Sequence, residues 1–189
     1  TTEYDLVHSD STHDLEIERY WEECRGIGTS FGYNRNEYLA NYSTSEELIH
    51  ILINKVARGG NLLLNVGPTA DGRIPVIMQQ RLRDIGSWLQ INGEAIFGTR
   101  TWAAGKDSTV RYTRNGTDLY VHLLEWPAGE VRIDGLDPGS QLTVTMLGSE
   151  QLIEWRLDDH SVVITPPLMS PRTMPSPYAY VFKIRAALP

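Results

Sequence analysis

NLLLNV, at residues 61–66, carries the strongest structural signal in the chain. Its three consecutive leucines show no polar–apolar alternation, which is typical of a parallel strand buried on both faces. Gly59 and Gly60 precede it, and the segment 67–72 that follows is rich in turn-forming residues. The pattern therefore predicts a buried parallel strand bounded by loops.

Helices are predicted on both sides of this strand. Before it, Ser43 stands three residues ahead of Glu46, which is the spacing of a capping box. Apolar side chains then repeat along one helical face: Leu48, Ile49, Leu52, Ile53 and Val56. After it, a second helix is predicted from about Pro75, with a stripe formed by Met78, Leu82, Ile85 and Leu89.

The order strand, helix, strand, helix is predicted over residues 21–92, because an extended, glycine-punctuated segment at 25–33 precedes the first helix. A complete (β/α)8 barrel takes about 250 residues. Two parallel strands alone would leave unpaired backbone groups at their edges. We therefore expect further strands, supplied by a longer parent chain or by a second polypeptide.

The pattern changes near residue 102. About seven short alternating segments follow between residues 109 and 184, separated by turn residues such as Asn115-Gly116. This spacing is typical of an antiparallel β-sandwich. The predicted fold class is α/β plus all-β, with a barrel portion at 1–101 and a sandwich domain at 102–189. Core or interdomain packing, rather than ligand binding, is predicted for Trp88, Trp102, Trp126 and Trp155.

Composition excludes several classes of function. The chain has 189 residues and a net charge of −7, so there is no basic surplus to bind nucleic acid. The single cysteine, Cys24, cannot form a disulfide within the chain, and five scattered histidines predict no metal site. The apolar runs are too short to span a membrane.

Three blocks of sequence identify a family. The first contains Trp21-Glu22, Arg25-Gly26-Ile27-Gly28 and the run SFGYNRNE at 30–37; the second is GGNLLLNVGPTADG at 59–72. The third contains GSWL at 86–89, NGEAIF at 92–97 and Thr101-Trp102. In order and spacing they resemble glycoside hydrolase family 29, the α-L-fucosidases. The resemblance is specific over 21–102, while the rest is compatible with the family's C-terminal domain.

The resemblance implies a retaining glycosidase that needs no metal or cofactor. Such enzymes use two carboxyl groups about 5–5.5 Å apart, one as nucleophile and one as acid and base. The family's nucleophile is an aspartate in an Asn-Asp-Arg-like motif on an earlier strand, and Asp5, Asp10 and Asp14 lack that context. The chain is therefore expected to begin after the nucleophile, which an upstream barrel segment or a partner chain would carry.

Glu37 matches the position of the acid/base in part of the family. It follows a predicted barrel strand, where such sites assemble, and an acid there requires a raised pKa. Glu46 and Glu47 remain alternatives, although Glu46 is expected to cap a helix.

Three further residues are candidates for binding the sugar. Arg25 matches a sugar-contacting residue, and a structural salt bridge is the equal alternative. Trp21 could line the pocket, although packing near the strand is the better interpretation. Leu62 could lie near the sugar's methyl group, although core packing is more common for such a residue.

Two kinds of function remain open. The first is part of a retaining exo-α-L-fucosidase that hydrolyses terminal fucosyl linkages of a glycan or fucoside, inactive without its nucleophile. The second is a non-catalytic carbohydrate-binding or scaffolding module. Enzymes of this kind meet glycans outside the cytoplasm, so an extracellular, periplasmic or lysosomal location is expected.

Overall fold

The computed structural model describes residues 21–102, 109–136 and 141–188. These ranges combine helices with one parallel and two antiparallel sheets. The chain divides into two compact units, 1–86 and 87–189. The domain boundary predicted between residues 101 and 102 stays a prediction. No helix in the described ranges is long and apolar enough to cross a membrane.

The first unit contains the predicted order of strand, helix, strand and helix. Its elements are β1 (Trp21–Gly26), α1 (Ser45–Ala57), β2 (Gly60–Asn65) and the start of α2 (Val76–Asn92). Strands β1 and β2 pair in parallel, as the leucine run predicted. A strand running into a loop was predicted over residues 25–33; β1 ends at Gly26, and the loop that follows contains a short 3-10 turn and one isolated β-bridge.

The cap of α1 lies one residue later than the sequence predicted. Thr44 is the N-cap, its Oγ1 accepts from the Glu47 N–H at 3.1 Å, and Glu47 Oε2 accepts from the Thr44 N–H at 2.7 Å. The prediction of Ser43 and Glu46 was wrong, because both pairs have the required spacing and only the backbone geometry selects between them. Glu46 is left exposed on the first turn.

Burial along β2 differs from the prediction of two covered faces. Leu63 is 51% exposed, whereas Leu64 packs partly buried against the cluster of Ile27, Leu48 and Met78. Within the described residues β2 has a single strand neighbour, β1, so its other edge is unpaired there.

The second unit is built from two antiparallel sheets. Their strands are β3 (Arg100–Thr101), β4 (Val110–Asn115), β5 (Asp118–Leu123), β6 (Val131–Ile133), β7 (Thr143–Met146), β8 (Glu154–Asp158), β9 (Ser161–Thr165) and β10 (Tyr180–Arg185). The five-stranded sheet has the order β3-β4-β5-β10-β7, and the three-stranded sheet has the order β6-β9-β8.

One hydrophobic core receives side chains from both of these sheets. The five-stranded sheet contributes Val121, Met146 and Phe182, and the three-stranded sheet contributes Ile133 and Ile164. The hairpin predicted at Asn115-Gly116 is present one residue later: Asn115 ends β4 and pairs with Asp118 across the turn residues Gly116 and Thr117, and Gly116 has a φ of +57°. Glycine adopts this left-handed conformation without the strain that a Cβ would cause.

A neutral histidine lies inside the second unit. His122 on β5 is fully buried, with Nε2 2.9 Å from Thr113 Oγ1, and that hydroxyl donates to the Ala95 carbonyl at 2.7 Å. Its Nδ1 is buried without a hydrogen-bond partner in the described part of the chain. Burial lowers the pKa of His122 to about 3, against a smaller opposing contribution from the Ala95 carbonyl.

We expect this histidine to make stability fall in acid. An unfolded histidine takes up a proton near pH 6.5 but the folded one only near pH 3, so the unfolded state binds more protons between these values. The free energy of unfolding should therefore drop by about 2 kcal/mol between pH 6.5 and pH 5. Urea unfolding at several pH values measures how the free energy of unfolding changes with pH. His122→Gln should reduce this pH dependence, and His160→Gln, a control at an exposed position, should retain it. An unchanged slope in His122→Gln would contradict the assignment.

Candidate functional site

The segment after β1 closes on itself into a compact loop. The Ser43 N–H donates to the Ile27 carbonyl at 2.9 Å, and the Thr29 N–H donates to the Asn41 carbonyl at 3.0 Å. Gly28 and Tyr42 form an isolated antiparallel bridge between these two bonds. We call residues 27–43 the β1–α1 loop. Its joined ends are typical of an Ω-loop, which presents side chains from a defined backbone.

The β1–α1 loop rests on the residues that end β2. The Ile27 N–H donates to the Asn65 carbonyl at 3.3 Å, and Asn65 Nδ2 donates to the Phe31 carbonyl. A Cβ built on Gly67 would lie 2.3 Å from the Tyr33 backbone nitrogen. Only glycine therefore permits this approach of the two backbones, which fixes where the loop stands above the strand ends.

Glu37 is bound by the opposite end of its own loop. Its Oε1 accepts from the Ser30 N–H at 2.6 Å and from Thr29 Oγ1 at 2.9 Å. A Cβ built on Gly28 would lie 2.9 Å from both carboxylate oxygens, so the missing side chain of Gly28 makes room for the carboxylate. We call Gly28, Thr29 and Ser30 the carboxylate seat.

The seat holds Glu37 in its ionised form. Partial burial acts to raise the pKa of Glu37, but the hydrogen bonds from Ser30 and then Thr29, with a smaller contribution from Tyr42, outweigh it and lower the pKa below its usual value. The raised pKa expected from the sequence is therefore not produced by the described residues. Donors to a carboxylate favour its charged form, and here they prevail over desolvation.

Glu37 also lines a cavity of about 300 Å³. The other lining residues come from the same loop and from the start of α2: Tyr33, Asn34, Arg35, Leu39, Tyr42, Pro75 and Ile77. The mixture of aromatic, apolar and hydrogen-bonding side chains suits a small polar organic ligand. Of the four site residues predicted from the sequence, Glu37 is the one that borders this cavity.

Arg25 lies on β1 within a small group of charges. Its guanidinium donates to Glu23 Oε1 at 3.3 Å, and Lys55 Nζ lies 2.5 Å from Glu23 Oε2. Glu23 is 1% exposed, so its charge requires these partners. The Nε of Arg25 is buried without a hydrogen-bond partner among the described residues, while the side chain as a whole is 29% exposed.

Trp21 and Leu62 lie further along the two strands. The Trp21 ring is packed over Gly60, where a built Cβ would come within 2.4 Å of the ring. Leu62 is partly buried and pairs with Glu23 across the parallel sheet. Both contacts are typical of packing between neighbouring strands. That Trp21 or Leu62 contacts a sugar stays a prediction.

The two alternative glutamates lie on α1. Glu47 belongs to the capping box with Thr44, and Glu46 is exposed beside it. Neither borders the cavity that Glu37 lines. Within the described ranges no group of three His, Cys, Asp or Glu side chains is placed to hold a metal ion.

The carboxylate seat was missed by sequence reasoning. Thr29 and Ser30 stand eight and seven positions before Glu37, a spacing with no regular periodicity, and the contact arises only because the β1–α1 loop closes. The run Gly28-Thr29-Ser30 indicates a turn, since glycine and hydroxyl residues favour turns, but it does not indicate which group the turn binds.

Comparison with known proteins agrees with the blocks quoted above. The family model for α-L-fucosidase matches residues 1–94, and the model for the α-L-fucosidase C-terminal domain matches residues 106–185. Together the two models cover most of the chain.

Curated relatives and a solved structure give the same result. The α-L-fucosidase of Branchiostoma floridae is 37% identical over 174 residues, which cover 89% of this chain and 39% of that protein. The tissue α-L-fucosidase of Homo sapiens is 38% identical over 170 residues, covering 87% of this chain and 36% of that protein. The crystal structure of Thermotoga maritima α-fucosidase with a mechanism-based inhibitor has a TM-score of 0.76 at 33% identity, covering 97% of this chain and 41% of that chain.

The chain thus spans about two fifths of the length of the curated relatives that it matches. Both family models match in order along the sequence, and the chain shares its fold with the Thermotoga maritima α-fucosidase. The chain therefore belongs to the α-L-fucosidase family of glycoside hydrolases, family 29.

Proposed function

We propose that the chain forms part of a retaining exo-α-L-fucosidase and supplies Glu37 as its acid and base. The observation that carries the proposal is the position of Glu37: it is bound at Oε1 by Ser30 and Thr29 and borders a cavity of about 300 Å³. The loop that presents it follows the carboxyl end of β1, which is where barrel enzymes assemble their sites.

The reaction would take place in two halves. In the first, protonated Glu37 donates to the glycosidic oxygen while a second carboxylate attacks the anomeric carbon. In the second, ionised Glu37 takes a proton from water, whose oxygen displaces that carboxylate from the sugar. The charge of the second carboxylate would raise the pKa of Glu37 before the first half, since like charges disfavour each other.

The nucleophile is proposed to lie on an upstream barrel segment or on a partner chain. The chain spans 39% of the Branchiostoma floridae relative and 36% of the human one, which supports a contribution from elsewhere. On this view residues 1–101 supply the last part of a (β/α)8-like barrel, and residues 102–189 supply the sandwich domain. The two sheets that share one core support the second assignment.

Arg25 is proposed to bind the sugar through its guanidinium, because the side chain is 29% exposed and its contact with Glu23 orients the group. Trp21 and Leu62 are proposed as apolar neighbours of the sugar ring and its methyl group. A Thermotoga maritima α-fucosidase that is 35% identical to this chain was solved in complex with fucose, which supports a fucosyl substrate here. Glycans outside the cytoplasm are the proposed targets.

Hydrolysis of a chromogenic α-L-fucoside tests the proposal. The 189-residue chain is assayed alone and after assembly with the upstream barrel segment of a fucosidase. We expect turnover only from the assembly. Turnover by the chain alone would show that the nucleophile lies within it. An assembly that forms and binds fucose but does not hydrolyse the substrate would instead support a carbohydrate-binding module.

A further inference from the structure

The Glu37 carboxylate is held through one oxygen. Oε1 receives the Ser30 N–H and the Thr29 hydroxyl, at 2.6 Å and 2.9 Å. Oε2 is buried and has no hydrogen-bond partner of good geometry among the residues that the structure describes. Gly28 lies against both oxygens, since a Cβ there would be 2.9 Å from each.

Burial and hydrogen bonding act in opposite directions on the protonation of Glu37. Burial disfavours the charge, whereas the Ser30 N–H and Thr29 hydroxyl on Oε1, with smaller contributions from the Tyr42 and Ser30 side chains, favour it. The donors prevail and the pKa of Glu37 is lowered. The largest donor, from Ser30, is a backbone group that no substitution removes, and the Thr29 hydroxyl is the largest contribution from a side chain, ahead of those of Tyr42 and Ser30.

We propose that Thr29 is a positioning residue: its hydroxyl holds the Glu37 carboxylate in the Gly28 seat as the form that accepts a proton from water. This inference rests on the proposed function of Glu37. Thr29 acts through Glu37, to which its hydroxyl donates.

The step that Thr29 supports is the second half of the reaction. A water proton passes to the Glu37 carboxylate as the water oxygen bonds to the anomeric carbon. The bond from that carbon to the nucleophilic carboxylate breaks, and the carboxylate leaves with the electron pair. Glu37 ends the step protonated, ready to serve as the acid of the next cycle.

Other ionisable groups border the same cavity and must be kept constant in a test. Tyr33, Arg35 and Tyr42 line it with Glu37. Burial raises the pKa of Tyr42, and its hydrogen bond to Glu37 and the Glu37 charge raise it further. Substitutions at Thr29 and Gly28 leave all three of these side chains in place.

The test compares Thr29→Val with Thr29→Ser in the assembled, active fucosidase. Valine keeps the shape of threonine but removes the hydroxyl, and serine retains the hydroxyl. The high-pH limb of the kcat/KM profile reports the protonated acid of the free enzyme. We expect Thr29→Val to move this limb up by about 0.5 pH unit, a threefold change in proton affinity, and Thr29→Ser to restore it.

Gly28→Ala provides a second test that does not alter Thr29. The added methyl group would push only the flexible end of Glu37, and Gly28 has an ordinary backbone conformation, so the chain should fold. Loss of the seat should move the same limb upward and lower the rate of the second half-reaction.

The outcomes separate this inference from the proposed function. If Thr29→Val and Gly28→Ala leave the limb unmoved while Glu37→Ala still destroys activity, the positioning role is wrong and Glu37 retains its assignment. If Glu37→Ala is fully active, the proposed function is wrong and the inference fails with it. An equal upward shift in Thr29→Ser and Thr29→Val would also overturn the role of the hydroxyl.

Discussion

Replacing Glu37 with alanine should lower kcat for an α-L-fucoside by about 10²–10⁴-fold in the assembled enzyme. The loss is expected because one side chain performs both proton transfers of a retaining mechanism. Added azide should restore part of the turnover of an activated aryl fucoside, since azide attacks the fucosyl-enzyme without a base. The product of that rescue is a fucosyl azide, which mass spectrometry identifies.

Two matched controls lie nine and ten residues away on α1. Glu46→Ala removes an exposed carboxylate, and Glu47→Ala removes half of the capping box with Thr44. The second variant should be less stable by about 1 kcal/mol, a typical cost of a lost cap. Neither should form a fucosyl azide. Azide rescue of Glu46→Ala or Glu47→Ala, with Glu37→Ala unimpaired, would transfer the acid and base role to α1.

The elements with local signals could be predicted from the sequence. The leucine run at 61–66 predicted the parallel strand β2, and Asn115-Gly116 predicted the turn between β4 and β5. Both signals depend on residues close together in the chain. The residue at which α1 begins could not be selected from the sequence, because Ser43 with Glu46 and Thr44 with Glu47 satisfy the same capping-box pattern.

The environment of Glu37 could not be predicted in the same way. Its position in the loop was given by the resemblance, but its protonation depends on Ser30 and Thr29, which the loop closure brings back to it. The exposure of Leu63 likewise depends on which strands neighbour β2 rather than on the leucine run itself. Contacts made by the folded backbone decide both properties.

The tryptophans were predicted to be core or interdomain residues, and the structure places all four in core packing. Trp88 is 1% exposed and its Nε1 donates to the Ala179 carbonyl at 2.9 Å. Trp102, Trp126 and Trp155 pack partly buried against the core of the second unit. A buried indole needs a partner for its N–H, and the Ala179 carbonyl is that partner. Trp88 therefore stabilises the fold both by burying its ring and by this hydrogen bond.

Trp88→Ala should therefore lower the free energy of unfolding by about 3–5 kcal/mol, the range for emptying a large aromatic site in a core. Trp88→Phe should cost less, since the ring volume is partly kept and Ser176 Oγ still donates to the Ala179 carbonyl at 3.2 Å. Ser87→Ala, at an exposed position on the same helix, should change stability by less than about 0.5 kcal/mol.

Urea unfolding followed by circular dichroism measures all three variants against the parent chain. The order of loss should be Trp88→Ala, then Trp88→Phe, then Ser87→Ala. If Trp88→Phe is as damaging as Trp88→Ala, the hydrogen bond to Ala179 rather than the ring volume dominates, because both variants lose the N–H. A loss below about 1 kcal/mol in Trp88→Ala would mean that the site collapses around the smaller side chain, contrary to a close-packed core.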